Sequence, residues 1–205
     1  MAKKHVIIGL TGPSGCGKST VSKTLKDLGM YCIDCDKIAH SVVASKECLP
    51  QLVEEFGEGI LQKNGALDRK KLGEIVFSDA VALKKINEIT HPPIIKKLME
   101  MVEQTNQAYI VMDAPTLFES GLDKECDMIV SVVSDFPIRL ERIQKRDQIS
   151  KEMATERLEA QPDEFFYTTG SDIVIYNNRD LDALSAKASH LFNYLIENTS
   201  PTERE

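Results

Sequence analysis

The residues best equipped for chemistry stand near the start of the chain, in the run GPSGCGKST from Gly12 to Thr20. Its first eight residues fit G-x-x-x-x-G-K-[ST], a pattern read as a phosphate-binding loop when it joins a strand to a helix. Gly12, Gly15 and Gly17 allow the backbone to fold tightly and turn its N–H groups toward phosphate oxygens. A helix beginning near Lys18 adds the positive end of its dipole. Lys18 can reach β- and γ-phosphates as a point charge, and the Ser19 hydroxyl is a suitable Mg²⁺ ligand. The pattern implies a nucleoside triphosphate bound by Gly12 and by Ser14 through Thr20. Cys16 lies inside the loop, beside a helix N-terminus and a lysine, which both lower thiol pKa values. Because the backbone of the loop does the binding, the Cys16 side chain reads as a small filler, and a readily alkylated thiol, protected by bound ATP, is the further expectation.

Two further groups of residues could act on a phosphate held there. The segment YCIDCD ends in Asp34 and Asp36, and YIVMD ends in Asp113. Both read as strands, and open α/β sheets bind ligands beyond the C-terminal ends of their strands. Asp34 is the candidate base for an attacking hydroxyl, while Asp36, directly before KIAH, suits a helix N-cap. Asp113 occupies the position from which such proteins orient Mg²⁺. Arg139, Arg142 and Arg146 recur along one predicted helix that runs into a polar segment, 145–170. Arginines on a mobile segment can spread over transferring phosphoryl oxygens, and Arg142 and Arg146 are the candidates for that role.

These residues need a scaffold. The 205 residues allow one sizeable core. A formal charge of −7 argues against a general nucleic-acid binder. No stretch is apolar enough to span a bilayer, and the early apolar run of about six residues is short for a signal peptide. The expectation is a cytoplasmic protein, with the polar end NTSPTERE solvated. Five cysteines at irregular spacing do not suggest a disulfide framework. Cys32 and Cys35 form a C-x-x-C, but a strand through Cys32 would hold them too far apart for a redox pair.

Apolar β-branched runs predict strands over 5–10, 30–34, 109–113, 128–133 and 172–176. Helices are expected over 18–28, 37–44, 49–56, 69–77, 81–88, 92–102, 137–147, 151–160 and 181–197. Pro92 and Pro93 suit the first turn of the sixth, and Ser150 the N-cap of the eighth. Strands alternating with helices imply an α/β fold, a five-stranded parallel sheet flanked by helices in three layers.

Together, GLTGPSGCGKSTVSKTLKDLG, CIDCDKIAH, ITHPPI, DAPTLFESGL, RIQKRD, RLEAQ and SDIVIYNN make the chain resemble the dephospho-coenzyme A kinases, nearly end to end and in unchanged order. The resemblance implies a P-loop kinase fold that phosphorylates the ribose 3′-hydroxyl of dephospho-coenzyme A with ATP and Mg²⁺, as a monomer. It implies a core formed by 1–36, 107–140 and 170–205, an acceptor-binding helical insertion over 37–106 and a lid over 141–169. It also implies Asp34 facing the acceptor hydroxyl, Arg142 and Arg146 near the phosphates, and Asn177 near adenine. The chain departs from the family at Thr116, usually apolar, and in NNRD, which lacks a glycine common after the asparagines. After Gln161 it reads PDEFFYTTG where basic residues are usual. Another small-molecule kinase, acting on a nucleoside or its monophosphate, is the nearest alternative. A nucleotide switch is a more distant one, and no N-K-x-D guanine motif is present.

Overall fold

The computed structural model describes residues 5–199, so the first four residues and the end of the polar tail lie outside the described residues. Five short strands form one parallel sheet in the order β2-β3-β1-β4-β5: β1 Val6–Thr11, β2 Tyr31–Asp34, β3 Tyr109–Asp113, β4 Met128–Val133 and β5 Ile173–Tyr176. β1 is buried along its whole length, as its continuous apolar sequence requires of a central strand. The chain leaves β1 toward β2 and β3 on one side and later builds β4 and β5 on the other. Loops from both halves therefore meet beyond the end of β1.

Contacts divide the chain into two compact units, Met1–Asp34 with Asn106–Glu205, and Cys35–Thr105. In the first, Val6, Ile8 and Leu10 of β1 pack with Val111, Val130 and Val132 against helices α1 (Lys18–Asp27) and α9 (Leu181–Asn198). Those helices contribute Val21 and Leu25, and Leu184, Ala188, Leu191 and Leu195, at the spacing that puts apolar residues on one helical face. The same unit carries α6 (Phe136–Asp147), α7 (Lys151–Glu159) and α8 (Glu164–Thr169). Ser150 caps α7 by accepting a hydrogen bond from Met153 N at 3.3 Å. α8 falls in the polar stretch where no helix was expected. Its six residues are too few to show a helical period, but Asp163 caps it by accepting from Phe166 N.

The second unit contains α2 (Cys35–Val43), α3 (Leu49–Phe56), α4 (Arg69–Val76) and α5 (Ala80–Gln104). Leu52, Ile60, Leu67, Leu72 and Val76 form its buried cluster. Two expectations fail here. α2 begins at Cys35, so Asp36 lies in its first helical turn rather than capping it. The helices expected over 81–88 and 92–102 are one helix, with Pro92 and Pro93 inside it. The prolines remove two amide donors from a single turn. Ile86 and Ile89 packed on the cluster, with Leu98 and Val102 buried further along, bury enough apolar surface to outweigh that local cost. Leu52 is wholly buried in the cluster. Leu52→Ala should therefore cost about 2–5 kcal/mol in urea unfolding, and an unchanged midpoint would contradict this packing.

Candidate active site

β1 ends at Thr11 and α1 starts at Lys18, so residues 12–17 form the connection that the loop motif requires. Gly12 has φ 143°, and a Cβ there would collide with the backbone carbonyl of Val132 on β4. Gly17 has φ 99° and serves as the N-cap of α1. A Cβ at Gly17 would run into the Asn177 amide. Only glycine suits either place.

The loop walls a cavity of about 360 Å³ lined by Gly12 through Thr20, Pro115, Arg142, Arg146, Asn177 and Leu181. Lys18 Nζ forms an ion pair with the carboxylate of Asp113, both side chains being largely buried. Asp113 ends β3 and is the register partner of Asp34 at the end of β2. Register partners share a sheet face, so two carboxylates sit side by side next to the lysine of the loop. Ser19 is exposed in the first turn of α1, on the cavity wall.

Arg142 is half-buried and its guanidinium is shared among backbone and side-chain oxygens. Nη1 donates to Gly15 O, Ser134 Oγ and Asn177 O at 3.2–3.3 Å, and Nη2 to Asn177 Oδ1 and Arg179 O at 3.4 and 3.1 Å. Asn177 is buried and donates through Nδ2 to Cys16 O at 2.8 Å. These two residues line the cavity and also hold the outward carbonyls of the loop. Arg146 is exposed at the rim. Both its Nε and Nη2 bond Asp147, at 2.7 and 2.9 Å, and Arg157 Nη1 reaches the same carboxylate at 2.7 Å. The hydrogen bonds from Arg146, with the added charge of Arg157, hold the Asp147 carboxyl below the ordinary carboxylate range.

Arg139 differs from its two neighbours in the series. It is buried behind the loop, with its guanidinium 5.8 Å from the centre of the Phe136 ring. Its Nε has no hydrogen-bond partner among the described residues, and burial pulls its pKa down. Gln161 was visible in the sequence only within the RLEAQ motif. It reaches the loop directly: Oε1 accepts from Ser14 N at 3.0 Å, and Nε2 donates to Ser14 Oγ at 2.9 Å.

Comparison with known proteins decides the family. The dephospho-CoA kinase family model matches residues 6–183, and a dephospho-CoA kinase of Fusobacterium nucleatum is 43% identical over 89% of this chain and 94% of its own. The chain belongs to the dephospho-CoA kinase family. Among solved structures, TT1252 from Thermus thermophilus superimposes with a TM-score of 0.82 at 30% identity, covering 96% of this chain and 99% of that one. A dephospho-CoA kinase from Campylobacter jejuni gives 0.68 at 29% identity, over 93% and 97%. The match takes in the whole phosphate loop, the two strand-end carboxylates and the arginine helix.

The cysteines behave differently from expectation in one respect. None of the five is in a disulfide, and Cys32 donates weakly to Ser22 O at 3.5 Å. Cys16, expected to be reactive, is buried in the core shared by the sheet, α1 and α9. Burial outweighs the Lys18 amide, the Lys18 charge and the Arg139 charge, and pushes its thiol up to about 11. A raised thiol pKa removes thiolate, the reactive form, at every pH below it. At pH 8 roughly one Cys16 in a thousand should be ionised. Iodoacetamide should therefore leave Cys16 unmodified in native protein at pH 7–8, with the rate climbing toward pH 11 and becoming ordinary in urea. Brisk native labelling at pH 7, read by peptide mass mapping, would contradict this environment.

Proposed function

We infer that the chain transfers the γ-phosphoryl group of ATP to the ribose 3′-hydroxyl of dephospho-coenzyme A, giving coenzyme A. The observation that carries this reading is the convergence of Lys18, Asp113 and Asp34 at one sheet edge, beside a phosphate loop, in a chain of this family. Phosphoryl transfer asks for little covalent work, so positioning and charge compensation must supply most of the catalysis.

Lys18 exchanges Asp113 for the β- and γ-phosphates of the incoming nucleotide, which releases the Asp113 carboxylate. Ser19 and Asp113 would then hold Mg²⁺. They are hard oxygen donors, and Mg²⁺ commonly takes only one or two protein ligands beside phosphate and water. When bound, the ion neutralises phosphate charge. Asp34, an exposed carboxylate on the neighbouring strand, orients the acceptor hydroxyl and accepts its proton. Arg146 leaves Asp147 for the transferring group, while Arg142 keeps the loop in shape through Gly15 O. Asn177 borders the adenine side. We further assign the helical unit Cys35–Thr105 to the acceptor and residues 141–169 to a lid, in a monomeric cytoplasmic enzyme. No helix among the described residues is long and apolar enough to cross a membrane.

Turnover measured with dephospho-coenzyme A against a panel of nucleosides and nucleoside monophosphates tests the acceptor. Phosphorylation of a nucleoside or its monophosphate, with none of dephospho-coenzyme A, would overturn the reading. Lys18→Ala should abolish turnover with the circular dichroism spectrum retained. Asp34→Asn should lower kcat by about 10²–10⁴-fold while ATP affinity stays within a few-fold, and near-normal turnover would remove Asp34 from this role.

A further inference from the structure

We propose that Gln161 is a positioning residue for the nucleotide, which sets the phosphate loop through Ser14 and links the loop to the segment 161–170. The proposal rests on ATP being the donor. A side-chain amide has one acceptor and one donor end, and here both are used on the same residue, 147 positions earlier in the chain. Because Ser14 N–H can only donate, the Gln161 atom facing it must be the oxygen. The Nε2 end then meets the Ser14 hydroxyl, leaving one orientation for the amide and one for Ser14. A two-point contact of this kind fixes direction as well as distance.

Its location makes the contact consequential. Ser14 belongs to the arch whose N–H groups serve the phosphates, and Gln161 holds one of those donors. The side chain comes from a firmly seated segment. Three residues on, α8 begins with its Asp163 cap. Phe166 then packs edge-on against Phe118, at 5.4 Å between ring centres, and Tyr167 O accepts from Ser131 Oγ of β4 at 3.1 Å. Gln161 therefore connects the arch to β4 and to the loop after β3. Behind it lies a second cavity of about 330 Å³ whose wall includes Pro13, Arg139, Leu158 and Gln161. Without the amide, Ser14 would lose both hydrogen bonds that Gln161 makes with it. Holding Ser14 in this way aims the other N–H groups of the arch before a phosphate arrives, so loss of the amide should weaken ATP binding.

The experiment is a double-mutant cycle with Gln161→Ala and Ser14→Ala, reading steady-state kinetics, ATP binding without acceptor, and thermal melting. Gln161→Ala should raise the ATP KM roughly tenfold and leave the dephospho-coenzyme A KM within about twofold. Ser14→Ala keeps the N–H and should cost less. The double variant should match Gln161→Ala alone, because the two residues share one contact. Gln161→Glu keeps the size and can still accept from Ser14, which protects against a folding defect. Its added charge beside the phosphates should raise the ATP KM further, by a factor that shrinks with added salt. A purely structural role predicts lower melting temperatures with both KM values unchanged. Either that result, or ATP affinity within twofold of native in both Gln161 variants, overturns the proposal. Turnover of dephospho-coenzyme A by the native chain in the same assay tests the kinase reading separately.

Discussion

A cradle built from backbone amides can aim its N–H groups at phosphate only by turning its carbonyls the other way, into the protein. Those carbonyls must be bonded there, since a buried polar group left bare costs about 1–3 kcal/mol. Here Arg142 takes Gly15 O and Asn177 takes Cys16 O. The first residue comes from α6 and the second follows β5, so both reach the loop because β4 lies beside β1 and β5 beside β4. The strand order is thus the means by which the outward side of the loop is satisfied. Arg142 suits the task because its planar fork addresses several acceptors at once, which a lysine ammonium on a flexible stem could not reproduce.

The same economy governs charge at the sheet edge. Asp34 and Asp113 stand on neighbouring strands in register, an arrangement that is costly for two ionised carboxylates. Lys18 compensates it by pairing with Asp113. A largely buried pair is expensive to break unless each partner finds another at once. In the proposed reaction the phosphates take Lys18 and a cation takes Asp113, so neither charge is stranded. Arg146 and Asp147 repeat the scheme in an exposed setting, where solvent screening makes the exchange cheap.

Elements whose information is local were legible in the sequence. All five strands, the loop and α1 follow from short apolar runs and glycines, and Ser150 announces its helix by capping chemistry. What escaped depends on residues far away in the chain. Cys16 reads as a thiol at a cationic helix start, and only the packing of α9 and the sheet around it shows that burial wins. Arg139 shares its spacing with Arg142 and Arg146, yet it lies behind the loop they border. α5 passes through two prolines because side chains from other helices hold it. Gln161 has no pattern of its own, and its partner is Ser14, so no window of sequence could pair them. Of the candidate site, the residue types and the strand ends were readable. The hydrogen bonds that fix the loop were not.

The segment after Gln161 shows how the chain trades one kind of binding for another. Where the resemblance implies basic residues, it packs Phe166 of α8 against Phe118 and buries Tyr167 of the same helix. Phosphate attraction falls off with salt and with distance, whereas aromatic packing acts with or without a ligand. Within the proposed lid, the part seated by rings is in place before the nucleotide arrives, and lifting it would expose apolar surface at roughly 25 cal/mol per Å². The cations left to meet the phosphates are then those on the cavity itself: Lys18, Arg142 and Arg146. All three are already committed to protein acceptors: Lys18 to Asp113, Arg142 to Gly15 O and its neighbours, and Arg146 to Asp147. Nucleotide affinity in this chain must therefore rest on how well the loop is shaped in advance, more than on how much positive charge surrounds it.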